Sequence, residues 1–345
     1  MTKILLCCCM SLLFCVNALA ASTRIAPDID LIVGIYVPDQ QPDGNSILIR
    51  SPDGLIVIDT GRHAAHTQQI IDFAQRAHRP IRAIINSHWH LDHIGGDSRI
   101  RTLYPDVQIY ASDALKGAMS GFLAKYKHYL ADEIEKSPGD LNAQGWRDEL
   151  AIIDKLPAAL PTEVVTKTAP YTIAGRELVL HLEPYAVTAG DVWVFDPATR
   201  VLAAGDLVTL PVPFLDTACP EHWKSALGHL AESNFKILIP GHGAPMHKRE
   251  FARYLHAYEN LLACTAGPSS KEQCADGWVH DVGNLLADNE HSNAKSMLVS
   301  YVDTSLRADP ERLARRCGVS SSDSNVRRSS QRTRAASSDD KSLSM

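Results

Sequence analysis

The sequence has no excess of basic residues, since it contains 34 Lys and Arg against 40 Asp and Glu and carries a formal net charge of −6. Proteins that bind nucleic acids usually present a basic face. We therefore predict no nucleic-acid partner. Long apolar runs are also scarce, because only residues 4–16 form one. This excludes a membrane protein with several spans.

The composition otherwise suits a folded domain. Hydrophobic residues make up 45% and charged residues 21% of the 345 residues, which is ordinary for globular proteins. This excludes a wholly disordered chain and a small scaffold that depends on disulfides. The sequence has no internal repeat with a period of about 20 to 50 residues, so a solenoid is not indicated.

The apolar run at the start has the pattern of a secretory signal. Lys3 precedes residues 4–16, and the small residues Ala18 and Ala20 follow them, as at a signal cleavage site. We predict a signal peptide over residues 1–20 and an exported protein, periplasmic or secreted, without a stable membrane span after cleavage. A buried or anchoring helix is the alternative.

The other end of the chain differs sharply in composition. Residues 318–345 contain ten serines and five basic residues but almost no apolar ones. Such a segment cannot bury enough surface to offset its chain entropy. We predict a disordered tail here, with a partner-binding arm as the alternative, and a single domain over residues 21–317.

Four cysteines remain after removal of the signal: Cys219, Cys264, Cys274 and Cys317. An even number in an exported protein suggests disulfides, and four cysteines allow three pairings. Cys264 and Cys274 flank a short loop and are the preferred pair. The four show no C-x-x-C spacing, so a structural zinc site is not indicated.

Strand-like and helix-like segments alternate through both halves of the chain. Residues 46–50 and 55–59 read as a hairpin, 64–77 as a helix and 81–86 as a short apolar strand. Such alternation predicts a layered α/β architecture. Residues 114–135 and 143–156 read as helices. The largely helical segment at about 114–165 is interpreted as an insertion, and further helices follow near the C-terminus.

The strongest chemical signal follows the strand at 81–86. Four potential metal ligands lie within six residues there: His88, His90, Asp92 and His93. Residues two apart in an extended chain point the same way, so His88 and His90 can share one ion. A turn would direct Asp92 and His93 towards a second. These ligands suit Zn²⁺, with Mn or Fe as alternatives.

Three further polar residues stand at the ends of apolar runs. Asp59 ends the run at 55–59, Asp206 follows a predicted strand at 201–204, and His242 follows one at 237–239. In open α/β folds, ligands collect beyond the carboxyl ends of the strands. We therefore expect these residues to meet the histidine cluster.

This pattern resembles the metallo-β-lactamase superfamily from about Ile32 to His247, and the His-x-His-x-Asp-His box is its most specific element. The resemblance implies an α/β fold, a four-layer αβ/βα sandwich with metals at one edge between two β-sheets. It also implies one or two zinc ions. The implied ligands form two sets that share Asp206. The first metal group consists of His88, His90 and Asp206. The second metal group consists of Asp92, His93, Asp206 and His242. Asp59 corresponds to a residue that supports the ligands.

One position departs from the family pattern. Val187 stands where the family has a third histidine for the first metal, and valine cannot bind a metal ion. The first ion could bind weakly or with a substitute side chain, the enzyme could use one ion, or catalysis could be lost. The candidate substitutes are His181, Tyr185 and His222, and weaker ones are Glu183 and Asp216.

The leading hypothesis is a metallo-hydrolase that acts on a small-molecule ester, thioester, lactone or amide. Zinc lowers the pKa of a bound water from about 15.7 to about 7, and Asp92 is expected to orient that water or take its proton. The resemblance implies that dedicated β-lactamases usually lack the aspartate found here at Asp206, so a β-lactamase is an alternative. A catalytically silent binding module is a second alternative.

Overall fold

A computed structural model of the chain describes residues 22–34 and 41–319. The predicted signal peptide at residues 1–20 and almost all of the predicted tail at 318–345 lie outside these ranges. Both remain predictions.

The described residues form alternating strands and helices. The strands are β1 (Thr23–Ala26), β2 (Ile29–Ile32), β3 (Ser46–Ser51), β4 (Gly54–Ile58), β5 (Ile81–Ile85), β6 (Gln108–Ala111), β7 (Glu163–Val164), β8 (Ala169–Ile173), β9 (Arg176–Glu183), β10 (Asp191–Asp196), β11 (Val201–Thr209) and β12 (Ile237–His242). The α-helices are α1 (Ala64–Arg76), α2 (Leu91–Ile94), α3 (Asp97–Leu103), α4 (Ala114–Ser120), α5 (Phe122–Lys136), α6 (Ala143–Lys155), α7 (Pro220–Glu232), α8 (Lys248–Ala266), α9 (Lys271–Val282), α10 (His291–Tyr301) and α11 (Pro310–Arg316).

The strands form two sheets. One has seven strands in the order β1 to β7, and the other has five in the order β12, β11, β10, β9, β8. Strands β4 to β7 pair in parallel, as do β11 and β12. The parallel strands matter for function because their carboxyl ends lie on the same edge of each sheet.

Three apolar clusters join the layers. The first lies between the sheets and includes Ile56 from β4 and Val192 from β10. The second packs α1 and α3 on the outer face of the seven-stranded sheet, and the third packs the helices from α7 to α10 on the five-stranded sheet. The order is thus helices, sheet, sheet, helices, which confirms the predicted four-layer α/β sandwich.

Two local predictions were wrong. The segment 114–135, read as one helix, is divided at Gly121, where the backbone (φ −108°, ψ −97°) leaves the helical region and α4 ends. The strand predicted to end before Asp206 continues to Thr209, with an irregular register at Gly205. Gly205 has φ +53°, a conformation that glycine adopts at little cost, and this lets the chain bend without ending the strand.

Both disulfides link elements of the C-terminal half. Cys264 pairs with Cys274, as preferred from the sequence, and Cys219 pairs with Cys317. The second bridge fastens the end of α11 to the start of α7. Among the described residues, no helix is long and apolar enough to cross a membrane.

Candidate metal centre

The candidate site lies where four strands end or bend. Asp59 follows β4, the box from His88 to His93 follows β5, Asp206 lies within β11, and His242 is the last residue of β12. After β5 the chain bends at residues 87–89, has an extended backbone at His90 and enters the short helix α2 at Leu91. This is the turn that the sequence predicted within the box.

The second metal group is compact and buried. One ligand atom from each of Asp92, His93, Asp206 and His242 lies within 4.8 Å of the others, and all four residues are buried. His242 Nε2 is 3.0 Å from Asp92 Oδ2, and His93 Nε2 is 3.1 Å from Asp206 Oδ1. Four nitrogen and oxygen ligands at this spacing match the set that zinc prefers.

The first metal group shares Asp206 with the second. Ligand atoms of His88, His90 and Asp206 also lie within 4.8 Å of one another, with His90 partly exposed. His88 Nε2 is 3.6 Å from Asp206 Oδ2. The structure thus brings together all six residues that the sequence proposed as ligands, in the predicted division into two groups.

The proposed ligand atoms are arranged to bind metal ions and not to form hydrogen bonds with one another. Several buried ring nitrogens and carboxylate oxygens have no hydrogen-bond partner among the described residues: His88 Nε2, His93 Nε2, His242 Nε2 and both oxygens of Asp206. Buried polar atoms are nearly always paired in native proteins. A cation between them would satisfy these atoms, so the chemistry of the donor set fits bound metal.

The electrostatics of the site also favour a cation. Burial lowers the pKa of His93, but the carboxylates of Asp206, Asp59 and Asp92 outweigh it and raise that pKa well above its usual value. Burial and the nearby rings of His93 and His90 keep the pKa of His88 well below its usual value. The carboxylates therefore create a negative potential that either a proton or a metal ion can neutralise, and metal binding displaces the proton.

Asp59 controls two of the histidines. Its carboxylate accepts hydrogen bonds from Ser87 N at 2.8 Å, Ser87 Oγ at 2.7 Å and His93 Nδ1 at 2.8 Å. The Ser87 hydroxyl gives its only hydrogen to Asp59, so it must accept from His88 Nδ1, which lies 2.9 Å away. Nε2 of both rings is thereby left free, as the supporting role predicted for Asp59 requires.

Arg62 is a largely buried residue that the sequence pattern did not indicate. Its guanidinium lies 3.5 Å from Asp92 Oδ1 and forms an ion pair with Glu149 of α6. The Tyr126 hydroxyl of α5 also donates to Glu149. Arg62 thus connects a proposed metal ligand to the helical segment after β6. No motif marks it, because its partners are distant in the sequence.

An open cleft of about 1320 Å³ lies beside this ion pair. Arg62, Tyr126, Trp146 and Glu149 contribute to its lining. Trp89 of the box is buried and packs with Leu115 and other apolar residues of the segment at 114–165, so it forms part of the wall beside the metal groups.

Val187 has a buried side chain that carries no metal-binding atom. Its side chain is fully buried in the cluster under the five-stranded sheet, and its backbone nitrogen donates to Asp191 at 2.9 Å. None of the five candidate substitutes is among the residues that form the two groups. His181 stacks on Trp193 with ring centroids 3.5 Å apart.

The other four candidates also have different surroundings. Glu183 accepts from the Trp193 indole at 3.0 Å, and Asp216 accepts from the Tyr301 hydroxyl at 3.1 Å. The ring of Tyr185 lies against Gly318, and His222 is exposed. Substitution of the missing histidine by one of these side chains therefore stays a prediction.

Two glycines allow the ligands to approach the backbone. A Cβ atom on Gly241 would lie 2.1 Å from Asp206 Oδ1, and one on Gly44 would lie 2.5 Å from the His93 ring. Real Cβ atoms do not approach other atoms so closely. Both positions therefore exclude any side chain, and the loop at Gly44 closes over the ligand ring.

Comparison with known proteins agrees with this geometry. The family model of the metallo-β-lactamase superfamily matches residues 41–242. A linear primary-alkylsulfatase from Pseudomonas sp. (strain ATCC 19151) is 28% identical over 231 residues, which cover 59% of this chain and 42% of that protein. The chain therefore spans less than half of this curated relative.

Solved structures show the same fold. A metallo-β-lactamase from Pontibacter korlensis aligns with a TM-score of 0.52 and 18% identity over 70% of this chain and 99% of the other. A double mutant of a sec-alkyl sulfatase aligns with a TM-score of 0.50 and 20% identity over 72% of this chain and 43% of the other. Since the family model covers more than half of the sequence, the chain belongs to the metallo-β-lactamase superfamily.

Proposed function

We propose that the protein is a zinc-dependent hydrolase of a small-molecule ester, thioester, lactone or amide. The observation that carries this proposal is the pair of ligand groups that share Asp206. Their buried donor atoms lack other partners in the described part of the chain. A purely structural cluster of carboxylates and imidazoles would be expected to pair its own donors and acceptors.

Bound zinc would supply Lewis acidity and lower the pKa of a water molecule to about 7. The chain's own residues would then position and deprotonate that water. Burial raises the pKa of Asp92, but the nearby His93, His242 and Arg62 outweigh it and hold that pKa well below its usual range. Asp92 is thus a carboxylate at neutral pH, able to hold the water or accept its proton at Oδ2.

Arg62 supports this role of Asp92. The guanidinium lies against Asp92 Oδ1, so the carboxylate is held from the side away from His242, whose Nε2 contacts Oδ2. A fixed carboxylate loses little entropy when the reacting atoms come together.

Metal content of the purified mature protein tests the metal part of the proposal. About two zinc ions per chain would mean that both groups bind in spite of Val187. About one would support a single ion in the second metal group. If the protein bound no metal ion, even after reconstitution with each metal tested, the hydrolase proposal would be overturned and the silent binding module favoured. His256→Ala, which removes an exposed histidine of α8, is the matched control for His242→Ala.

A substrate panel tests the chemistry. It should contain an aryl ester, a thioester, a lactone and an amide, each assayed with the metal-loaded protein, the chelator-treated protein and His242→Ala. We expect turnover of at least one of them that chelation abolishes and zinc restores. Absence of metal-dependent turnover of all four by a zinc-loaded protein would overturn the proposal.

Two relatives favour a second candidate, hydrolysis of an alkyl sulfate ester. The curated relative at 28% identity is named an alkylsulfatase, and one of the similar folds is a sec-alkyl sulfatase. Dodecyl sulfate therefore belongs in the panel, with release of sulfate as the readout. Nitrocefin tests the β-lactamase alternative, which the fold similarity alone does not distinguish.

We also propose that the protein is exported. The apolar run before Ala20 supports this, and the pairing of Cys219 with Cys317 and of Cys264 with Cys274 agrees with an oxidising compartment. N-terminal sequencing of the native protein tests it. A mature chain that begins near residue 21 is expected, and one that retains Met1 in the cytosol would overturn it.

A further inference from the structure

A chain of two hydrogen bonds connects His90 to the residue that replaces the family's third histidine. The Thr217 hydroxyl donates to the backbone carbonyl of Val187 at 2.9 Å. The same oxygen lies 3.0 Å from His90 Nε2. Thr217 is 127 positions from His90 in the sequence and belongs to the segment between β11 and α7.

The directions of these two hydrogen bonds are fixed by chemistry. A hydroxyl has a single hydrogen, and Val187 O can only accept, so the hydrogen of Thr217 is committed to that carbonyl. The contact between Thr217 and His90 must then be a donation from Nε2–H to Oγ1. An imidazole that binds a metal ion through one ring nitrogen carries its hydrogen on the other, so a donating Nε2 leaves Nδ1 as the nitrogen with a free lone pair.

We propose that Thr217 is a positioning residue for the first metal group. Its hydroxyl, anchored on the backbone carbonyl of Val187, holds His90 in the Nε2–H tautomer and so leaves Nδ1 as the nitrogen that can bind the ion. The proposal rests on the metal-binding function proposed above for His90. It assigns to Val187 a role through its main chain, although its side chain cannot be a ligand.

The surroundings hold Thr217 in place. Cys219, two residues further on, donates its backbone N–H to Ala186 O at 2.9 Å and is bonded to Cys317. The segment that carries Thr217 is therefore fastened to the loop of Val187 at two neighbouring points. A hydroxyl held in this way orients the imidazole without a large entropy cost when the ion binds.

The arrangement parallels the one at His88. There the Ser87 hydroxyl donates to Asp59 and accepts from His88 Nδ1, which frees Nε2. At His90 the roles of the ring nitrogens are exchanged, because Thr217 takes Nε2. Both histidines of the first metal group thus have a hydroxyl that fixes the tautomer, in a group that lacks the family's third imidazole.

The test compares Thr217→Val, which keeps the shape but removes the hydroxyl, with Thr217→Ser, which keeps the hydroxyl. Thr172→Val removes another threonine hydroxyl, on β8, where it donates to Glu177, and is the matched control. Nitrogen-15 NMR of the histidine rings in the metal-free protein reports the tautomer directly, and the His90→Gln variant assigns the signals. Zinc titration against a competing chelator reports the two affinities.

We expect Thr217→Val to weaken zinc binding to the first metal group by about 10- to 100-fold and the second by less than about twofold. The His90 signals should lose the Nε2–H pattern. Thr217→Ser should restore both properties, and Thr172→Val should resemble the parent protein. A Thr217→Val protein with the parent tautomer, or with unchanged first-ion affinity, would overturn the proposal, as would a serine variant as weak as the valine one.

These readouts separate this proposal from the hydrolase proposal. If the parent protein binds zinc but hydrolyses nothing, the effect on affinity still decides the role of Thr217. If it binds no zinc, the hydrolase proposal fails, and the ring tautomer in the metal-free protein still shows whether Thr217 controls His90.

Discussion

Replacing Asp59 by Asn should disturb both metal groups at once, although Asp59 belongs to neither. The asparagine oxygen can still accept from Ser87 N, as Oδ1 does now. The amide nitrogen would then stand in place of Oδ2, which accepts from Ser87 Oγ and His93 Nδ1. An amide nitrogen only donates, so it would force His93 to accept at Nδ1 and carry its proton at Nε2.

The effect should extend to His88. Once Ser87 Oγ accepts from the new amide, its own hydrogen is free to donate to His88 Nδ1, which lies 2.9 Å away. His88 would then also carry its proton at Nε2, the nitrogen that faces Asp206. One substitution of equal size thus moves a proton onto a ligand nitrogen in each metal group.

The magnitude follows from the role of such supporting residues. Their loss typically lowers metal affinity by about 10- to 100-fold, which corresponds to about 1.4 to 2.7 kcal/mol for each ion. The metal-free protein should also lose about 1.5 to 3 kcal/mol of unfolding free energy, because a buried hydrogen bond to a charged group disappears.

Zinc titration with a competing chelator and urea unfolding of the metal-free protein measure these two effects. Asp72→Asn is the control, since Asp72 accepts one hydrogen bond from Gln68 on the surface of α1 and lies away from the metal groups. If the Asp59→Asn protein retained two zinc ions with affinities within about threefold of the parent, the reasoning about ring tautomers would be refuted.

Three further predictions concern the framework around the site. Gly241→Ala should displace Asp206, because its Oδ1 would lie 2.1 Å from the new Cβ, and should thus weaken the binding of both ions. Gly228→Ala is the control, since a Cβ there meets open space. Equal zinc affinities of the two variants would contradict this prediction. Burial raises the pKa of Asp97 to about 7, although hydrogen bonds from Asn86 and Thr60 act to lower it. The free energy of unfolding should therefore be highest below about pH 4, where Asp97 is protonated in both states, and should fall by up to about 4 kcal/mol as the pH rises towards 7. Asp97→Asn should flatten that part of the unfolding profile in urea, and an unchanged slope would disprove the assignment. Cys317→Ser opens a loop with a sequence separation of 98 and should cost about 4 kcal/mol in urea unfolding; a loss below about 1 kcal/mol would contradict it.

The sequence predicted the parts of the site whose signal is local. The box from His88 to His93 is compact, and Asp206 and His242 end or interrupt apolar runs, so their meeting with the box could be inferred. The four-layer sandwich followed from the family resemblance. The strand at Asp206 was predicted too short because glycine usually marks a break, whereas here Gly205 bends a strand that continues.

The contacts that orient the ligands were beyond sequence reasoning for a different reason. Arg62 and Glu149 meet across 87 positions, and Thr217 and His90 across 127. A single arginine or threonine has no pattern that announces such a partner, because its function depends on tertiary packing.

Val187 illustrates how this limit affects a functional conclusion. From the sequence, the loss of a histidine raised the question of which other side chain replaces it, and none of the five candidates belongs to the two ligand groups. The structure offers instead the main-chain carbonyl of Val187. Every residue has such a carbonyl, so a comparison of side chains does not reveal its role. If Thr217 uses that carbonyl to fix His90, the identity of the side chain at position 187 matters mainly for packing under the five-stranded sheet. The first metal group would then depend on the quality of its two imidazoles and not on recovering a third.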